Sequence, residues 1–130
     1  MPDHRCVPLM TQTASAMASL ALNSEADAEL LVQLGVIDFL LKLLHESIRP
    51  CATYDEKVWR TGCGTASTTT LWALCTVKAT VGDVTSAGAI APMIMLCRTS
   101  EDESVLKLTT AAITDMCDVD KHRVMVYEGG

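Results

Sequence analysis

Apolar residues in this chain recur at three- and four-residue steps, in runs separated by short polar or glycine-containing breaks, and this spacing predicts helices. The first run, about Pro8 to Leu22, places Met10, Ala14, Met17 and Ala21 on one face; Asn23-Ser24 ends it and caps the next helix. Glu25 to Leu34 is a short helix that stops at Gly35, and Val36 to Glu46 follows it. After a long connection, a helix from about Thr65 to Lys78 carries Leu71, Leu74 and Cys75. Val81 to Ala87 is another short element, stopped by Gly88. Ala89 to Cys97 comes next, with Pro92 in its first turn, where a missing N–H costs little. The polar turn Thr99-Ser100-Glu101-Asp102 puts acids where the dipole of the last long helix, Glu103 to Cys117, favours them. Val119 to Glu128 begins a further unit, and the expected fold class is all-α.

These segments repeat. Gly88 and Gly130 each close a short apolar-patterned segment, and the residues after Gly35 match those after Gly88: Ile37, Leu40, Leu41 and Leu44 correspond to Ile90, Met93, Ile94 and Cys97. Four residues before each glycine stand Leu31, Val84 and Val126. The interval from Gly88 to Gly130 falls within the period of about 40 to 47 residues, with two or three helices per unit, that marks stacked helical repeats. On this reading 8–34 is a partial repeat, 35–87 a repeat with an insertion at about 45–64, and 88–130 a repeat with the start of the next. Terminal repeats normally carry a polar capping face. Neither end supplies one, so the expectation is a segment continued by further repeats or by neighbouring subunits.

Composition narrows the chemistry. Apolar residues make up 49% of the 130, enough for a core, and only 4% are aromatic, so Leu, Ala, Val, Ile and Met must build it. Such a core suits stacked helices better than sheets. A net charge of −6 with ten scattered Lys and Arg predicts no nucleic-acid surface. Apolar stretches such as Val36 to Leu44 are broken by Asp38 and Lys42 and fall far short of the roughly 20 residues of a membrane span. Met1-Pro2-Asp3-His4-Arg5-Cys6 lacks the apolar core of a signal peptide, which predicts an intracellular protein, cytoplasmic or cytoskeletal. In that compartment the six cysteines are expected as thiols, with Cys75, Cys97 and Cys117 on buried helix faces.

The motif Ala16-Met17-Ala18-Ser19-Leu20 returns as Ala73-Leu74-Cys75-Thr76-Val77 and as Ala112-Ile113-Thr114-Asp115-Met116. With the glycine-led helices before it, the chain resembles the armadillo repeat family over about residues 8 to 130. The resemblance implies a right-handed superhelix of about three stacked repeats and a non-catalytic protein-binding module, a scaffold segment in a larger assembly. It implies protein partners on the concave face and the inserted loop. Alternatives are a regulatory domain of an enzyme complex or an importin-like peptide adaptor. Importin-type members read basic peptides with a Trp four residues before an Asn on each long helix. Here Trp72 precedes Thr76 in that way, while Ser15 and Ala111 precede Ser19 and Asp115. By the resemblance, Trp72, Thr76 and Asp115 occupy partner-facing positions.

The stretch from Gly35 to Thr76 is much longer than the matching stretch from Gly88 to Asp115, and the excess lies between Leu44 and Trp72. Insertions in repeat proteins map to surface loops, often on the binding side. This one contains Tyr54, Trp59 and Arg60, residue types enriched in interface hot spots, so these three are candidate partner contacts. Gly62-Cys63-Gly64 lacks the strand before it and the Gly-Lys-Ser/Thr after it that a phosphate loop needs, and reads as a flexible junction. Cys51 and Cys63 have no paired Cys or His at zinc spacing. A cysteine nucleophile such as Cys63 with His45 or His122 as base can be drawn, and both histidines read as solvated or capping residues. The expectation is therefore no catalytic residue, no metal and no cofactor.

Overall fold

The computed structural model describes residues 6–50 and 53–129. They form seven helices: α1 (Cys6–Asn23), α2 (Glu25–Gln33), α3 (Val36–Ser47), α4 (Tyr54–Thr76), α5 (Lys78–Ser86), α6 (Ile90–Thr99) and α7 (Glu103–Gly129). The class is all-α, with no strand among the described residues. Gly130, Cys51 and the side chains of Met10, His122 and Val126 lie outside the described residues.

Local chemistry sets the helix ends. The Ser24 hydroxyl accepts from the Asp27 N–H at 3.0 Å to start α2, and Thr53 accepts from the Glu56 N–H at 3.1 Å to start α4. Thr53 and Glu56 have the spacing of a capping box, and Asp55 and Glu56 in the first turn complement the helix dipole. At α7, the Asp102 carboxylate accepts from the Ser104 and Val105 N–H groups at 2.8 and 3.3 Å. Gly35 and Gly88 each adopt φ +85°, a left-handed conformation that glycine reaches without penalty. Around each, the same two bonds close the preceding helix: Leu34 N–H to Leu30 O and Gly35 N–H to Val32 O, then Ala87 N–H to Asp83 O and Gly88 N–H to Thr85 O.

One shift along the sequence, the one that carries Gly35 onto Gly88, also carries α1 onto α4, α2 onto α5 and α3 onto α6. Ala28 N–H bonds Ser24 O at one junction, and the corresponding Val81 N–H bonds Val77 O at the other. Packing follows the same rule. α1 packs on α4 and α4 on α7, α2 on α5, and α3 on α6 as well as on α4. The core between them includes Ala18, Ala21, Leu40, Leu44, Leu71, Leu74, Val84, Met93 and Met116.

Three expectations are corrected. Most of the segment read as an inserted loop is the start of α4, which begins at Tyr54 rather than Thr65; only residues 48–53 connect α3 to it. α7 runs unbroken to Gly129, so no separate unit begins at Val119, and the interval from Gly88 to Gly130 is not the repeat of the fold. Finally, among the cysteines expected to be buried, Cys75 is, Cys97 is half-buried and Cys117 is exposed; these and the buried Cys63 are free thiols.

Residues 61–70 are helical despite two glycines and a run of hydroxyl residues, and most of those hydroxyls are satisfied by the carbonyl four residues back. Thr65 donates to Thr61, Ser67 to Cys63 and Thr69 to Thr65, at 3.0, 2.7 and 2.7 Å. Thr70 also reaches across to the Ala14 carbonyl of α1 at 3.1 Å. The small side chains let neighbours approach: a Cβ added at Gly64 would lie 3.2 Å from Ser47 Cβ of α3.

Candidate functional site

Where α3 and α6 end and α4 and α7 begin, a cleft of about 520 Å3 opens. Ile48, Leu96 and Val105 supply apolar wall, Arg49, Lys57 and Arg60 three positive charges, and Glu101 and Asp102 two negative ones. Capping fixes part of this arrangement, since Asp102 holds the first turn of α7 while its side chain borders the opening. Ser47 and Ser100, which correspond under the internal repeat, both contribute to the lining. The Ser47 hydroxyl is committed to the Leu44 carbonyl at 2.6 Å.

Arg60 forms part of the cleft wall and is nine-tenths buried. Its Nη1 donates to the Arg49 carbonyl at 2.7 Å, and Nη2 lies 3.7 Å from the Glu56 carboxylate. Nε has no hydrogen-bond partner among the described residues. This guanidinium ties the 48–53 connection to α4 at Arg49. Tyr54, by contrast, is 79% exposed on the first turn of α4. Trp59 is half-buried, and its indole Nε1 is enclosed without a partner among the described residues.

The sequence-predicted contacts therefore divide. Tyr54, Trp59 and Arg60 lie near the start of α4, whereas Trp72 and Thr76 lie near its end, with Trp72 about 18 Å along the helix axis from Arg60. Trp72 is half-buried against the core, and the exposed Thr76 hydroxyl donates to the Trp72 carbonyl. Asp115 on α7 is near Cys75, and burial together with Asp118 raises its carboxyl above the ordinary range. No single surface joins all six. Sequence reasoning missed Ser47, Lys57, Leu96 and Thr99 as cleft residues; the match of Leu43 to Leu96 and Ser47 to Ser100 was the available signal.

Thiolate chemistry finds no support at Cys63. The residue is fully buried, and burial first, then Glu46, pushes its thiol up to about 11 against the opposing effect of Arg60. A reactive cysteine needs the reverse shift. Cys75 is pushed up to about 12 by burial and by Asp115. Gly62, Cys63 and Gly64 sit within α4 rather than before it, so they offer no helix N-terminus to a phosphate. Among the described residues no three His, Cys, Asp or Glu side chains cluster as metal ligands, and no single helix is long and apolar enough to cross a membrane. Compared with protein-family models, curated proteins and solved structures, the chain matches none.

Proposed function

We propose that this chain is an armadillo-like helical-repeat module, a right-handed stack that binds protein partners, and that the cleft between α3, α4, α6 and α7 receives a partner segment. The observation that carries the reading is the packing of each helix on the third one after it, with the same glycine joint at Gly35 and at Gly88. Stacked repeats present extended, pre-formed surface, so a partner binds with little ordering cost. Of the three cations lining the cleft, Arg49 pairs with Glu46 and Arg60 is held by the Arg49 carbonyl and the Glu56 carboxylate, and Glu101 and Asp102 add negative charge, so the apolar wall suits a short peptide segment better than a nucleic acid, whose phosphates need clustered cations to neutralise them. A scaffold role inside the cell, cytoplasmic or cytoskeletal, accords with this reading. Photocrosslinkers placed one at a time at Lys57 and Thr99 in the cleft and at the exposed Glu29 of α2 and Asp83 of α5, followed by affinity capture and mapping, test it: crosslinks to one partner segment from the cleft positions support it, and a partner that crosslinks only from α2 and α5 refutes it.

A further inference from the structure

A second surface follows from the internal repeat alone and does not depend on what the cleft holds. Leu9, Met17, Phe39 and Leu43 line an apolar groove of about 210 Å3 between α1 and α3, in which Thr13 is the one polar lining residue among the described residues. The Thr13 hydroxyl already donates to the Leu9 carbonyl at 2.8 Å. Leu9 is 68% exposed and Phe39 50%. Under the shift that carries Gly35 onto Gly88, these four positions become Gly62, Thr70, Pro92 and Leu96, and every one of those is buried. α3 and α1 pack against this part of the second unit. α3 packs on both α4 and α6, with Ser47 against the Gly64 position and Leu96 beside the same point, while α1 takes the Thr70 hydrogen bond. The space between α4 and α6 is thus occupied by α3, and the equivalent space between α1 and α3 holds no described helix.

We propose that the α1–α3 groove docks an amphipathic helix of a partner protein, seated there as α3 is seated between α4 and α6. The site continues the chain's own helix-to-helix interface by one position. α3 gives the pattern to match: twelve residues with apolar side chains such as Ile37, Leu40 and Leu44 on one face. A second copy of this chain does not fit. Its α3 or α6 in the groove would bring the helix that follows, α4 or α7, into the volume of α1.

The probe is a fluorescein-labelled peptide copying residues 36–47 with Phe39→Glu and Leu43→Lys, which leaves apolar only the face that α3 turns to α4 and α6. Fluorescence anisotropy with the full chain is expected to show saturable binding. The protein variant Leu9→Asp with Phe39→Asp should weaken it at least tenfold with an unchanged unfolding midpoint, because both side chains are half-exposed or more. If that pair unfolds the chain, the exposed position Thr13→Arg gives the same test with a single change. Absence of saturable binding overturns the proposal, as does equal binding to the variants. So does self-association in sedimentation that the groove substitutions abolish, which would assign the groove to a second copy.

Discussion

Replacing Gly88 with alanine isolates one energetic quantity. A Cβ at this position meets no heavy atom within 4 Å, so neighbours contribute no clash, and what remains is the backbone at φ +85°. Holding a residue with a Cβ in the left-handed region costs roughly 1–2 kcal/mol. Alanine also restricts the unfolded chain, which stabilises by about 0.4–1 kcal/mol, leaving a net loss of about 1 kcal/mol. Gly82 is the internal control: it lies within α5, its Cβ position is equally open, and its φ is ordinary. There alanine gains about 0.5–1 kcal/mol from helix propensity and chain entropy. The two variants should therefore fall on opposite sides of the parent, about 1.5–2 kcal/mol apart. Urea unfolding followed by far-UV circular dichroism measures this from the midpoints, provided the slopes agree. Gly35→Ala should match Gly88→Ala, and the double variant should be additive because the joints belong to different units. A Gly88→Ala protein as stable as the parent would refute the claim that these glycines are required by conformation.

Four further outcomes follow from the packing. Thr70→Val should cost about 1 kcal/mol by deleting the bond to the α1 carbonyl, whereas Thr68→Val, whose buried hydroxyl has no partner among the described residues, should be neutral or stabilising; chemical denaturation separates the two. Arg60→Met should lower stability by about 1–3 kcal/mol, read by thermal unfolding, because the Arg49 carbonyl loses its donor, while Tyr54→Ala should leave the melting temperature unchanged and reduce partner capture. Thiol labelling should modify Cys117 rapidly and Cys63 and Cys75 only on unfolding. Those two buried thiols have folded pKa values raised from 9.0 to about 11 and about 12, so the folded form retains protons that the unfolded chain releases; stability should be intact below pH 9, fall as the pH rises toward 11 to 12, and fall less in Cys75→Ala.

Six of the seven helices are legible in outline from the sequence because their starts and stops carry direct signals: Ser24 before an acidic turn, Gly35 and Gly88 after apolar runs, Asp102 before α7. The start of α4 is hidden for an identifiable reason. Gly62, Gly64 and the Thr-rich stretch after them all disfavour a helix on intrinsic propensity. Their cost is offset by tertiary contact, since small side chains admit α1 and α3 closely and the Thr70 hydroxyl bonds the Ala14 carbonyl of α1. The capping pair Thr53 and Glu56 is nevertheless present in the sequence as a start signal. Arg60 shows a different limit. Residue type places it among interface anchors, but only the folded chain brings its guanidinium to the Arg49 carbonyl, beyond the reach of any helical spacing.

Both candidate surfaces lie where the internal repeat is imperfect. Residues 48–53 join α3 to α4, whereas residues 100–102 suffice between α6 and α7, and the longer connection contributes Ile48, Arg49 and Pro50 to the rim of the cleft. The groove arises where α1 and α3 present Leu9 and Phe39 at positions that are Gly62 and Pro92 in the second unit. Where the second unit places glycine, alanine and threonine, helices close on one another and the backbone of one reaches the side chains of the next. Departures that enlarge an exposed apolar side chain carry a solubility cost that packing inside the chain does not offset. That asymmetry between the units is the physical reason to look for binding at the cleft and the groove rather than on the outer faces of α2 and α5.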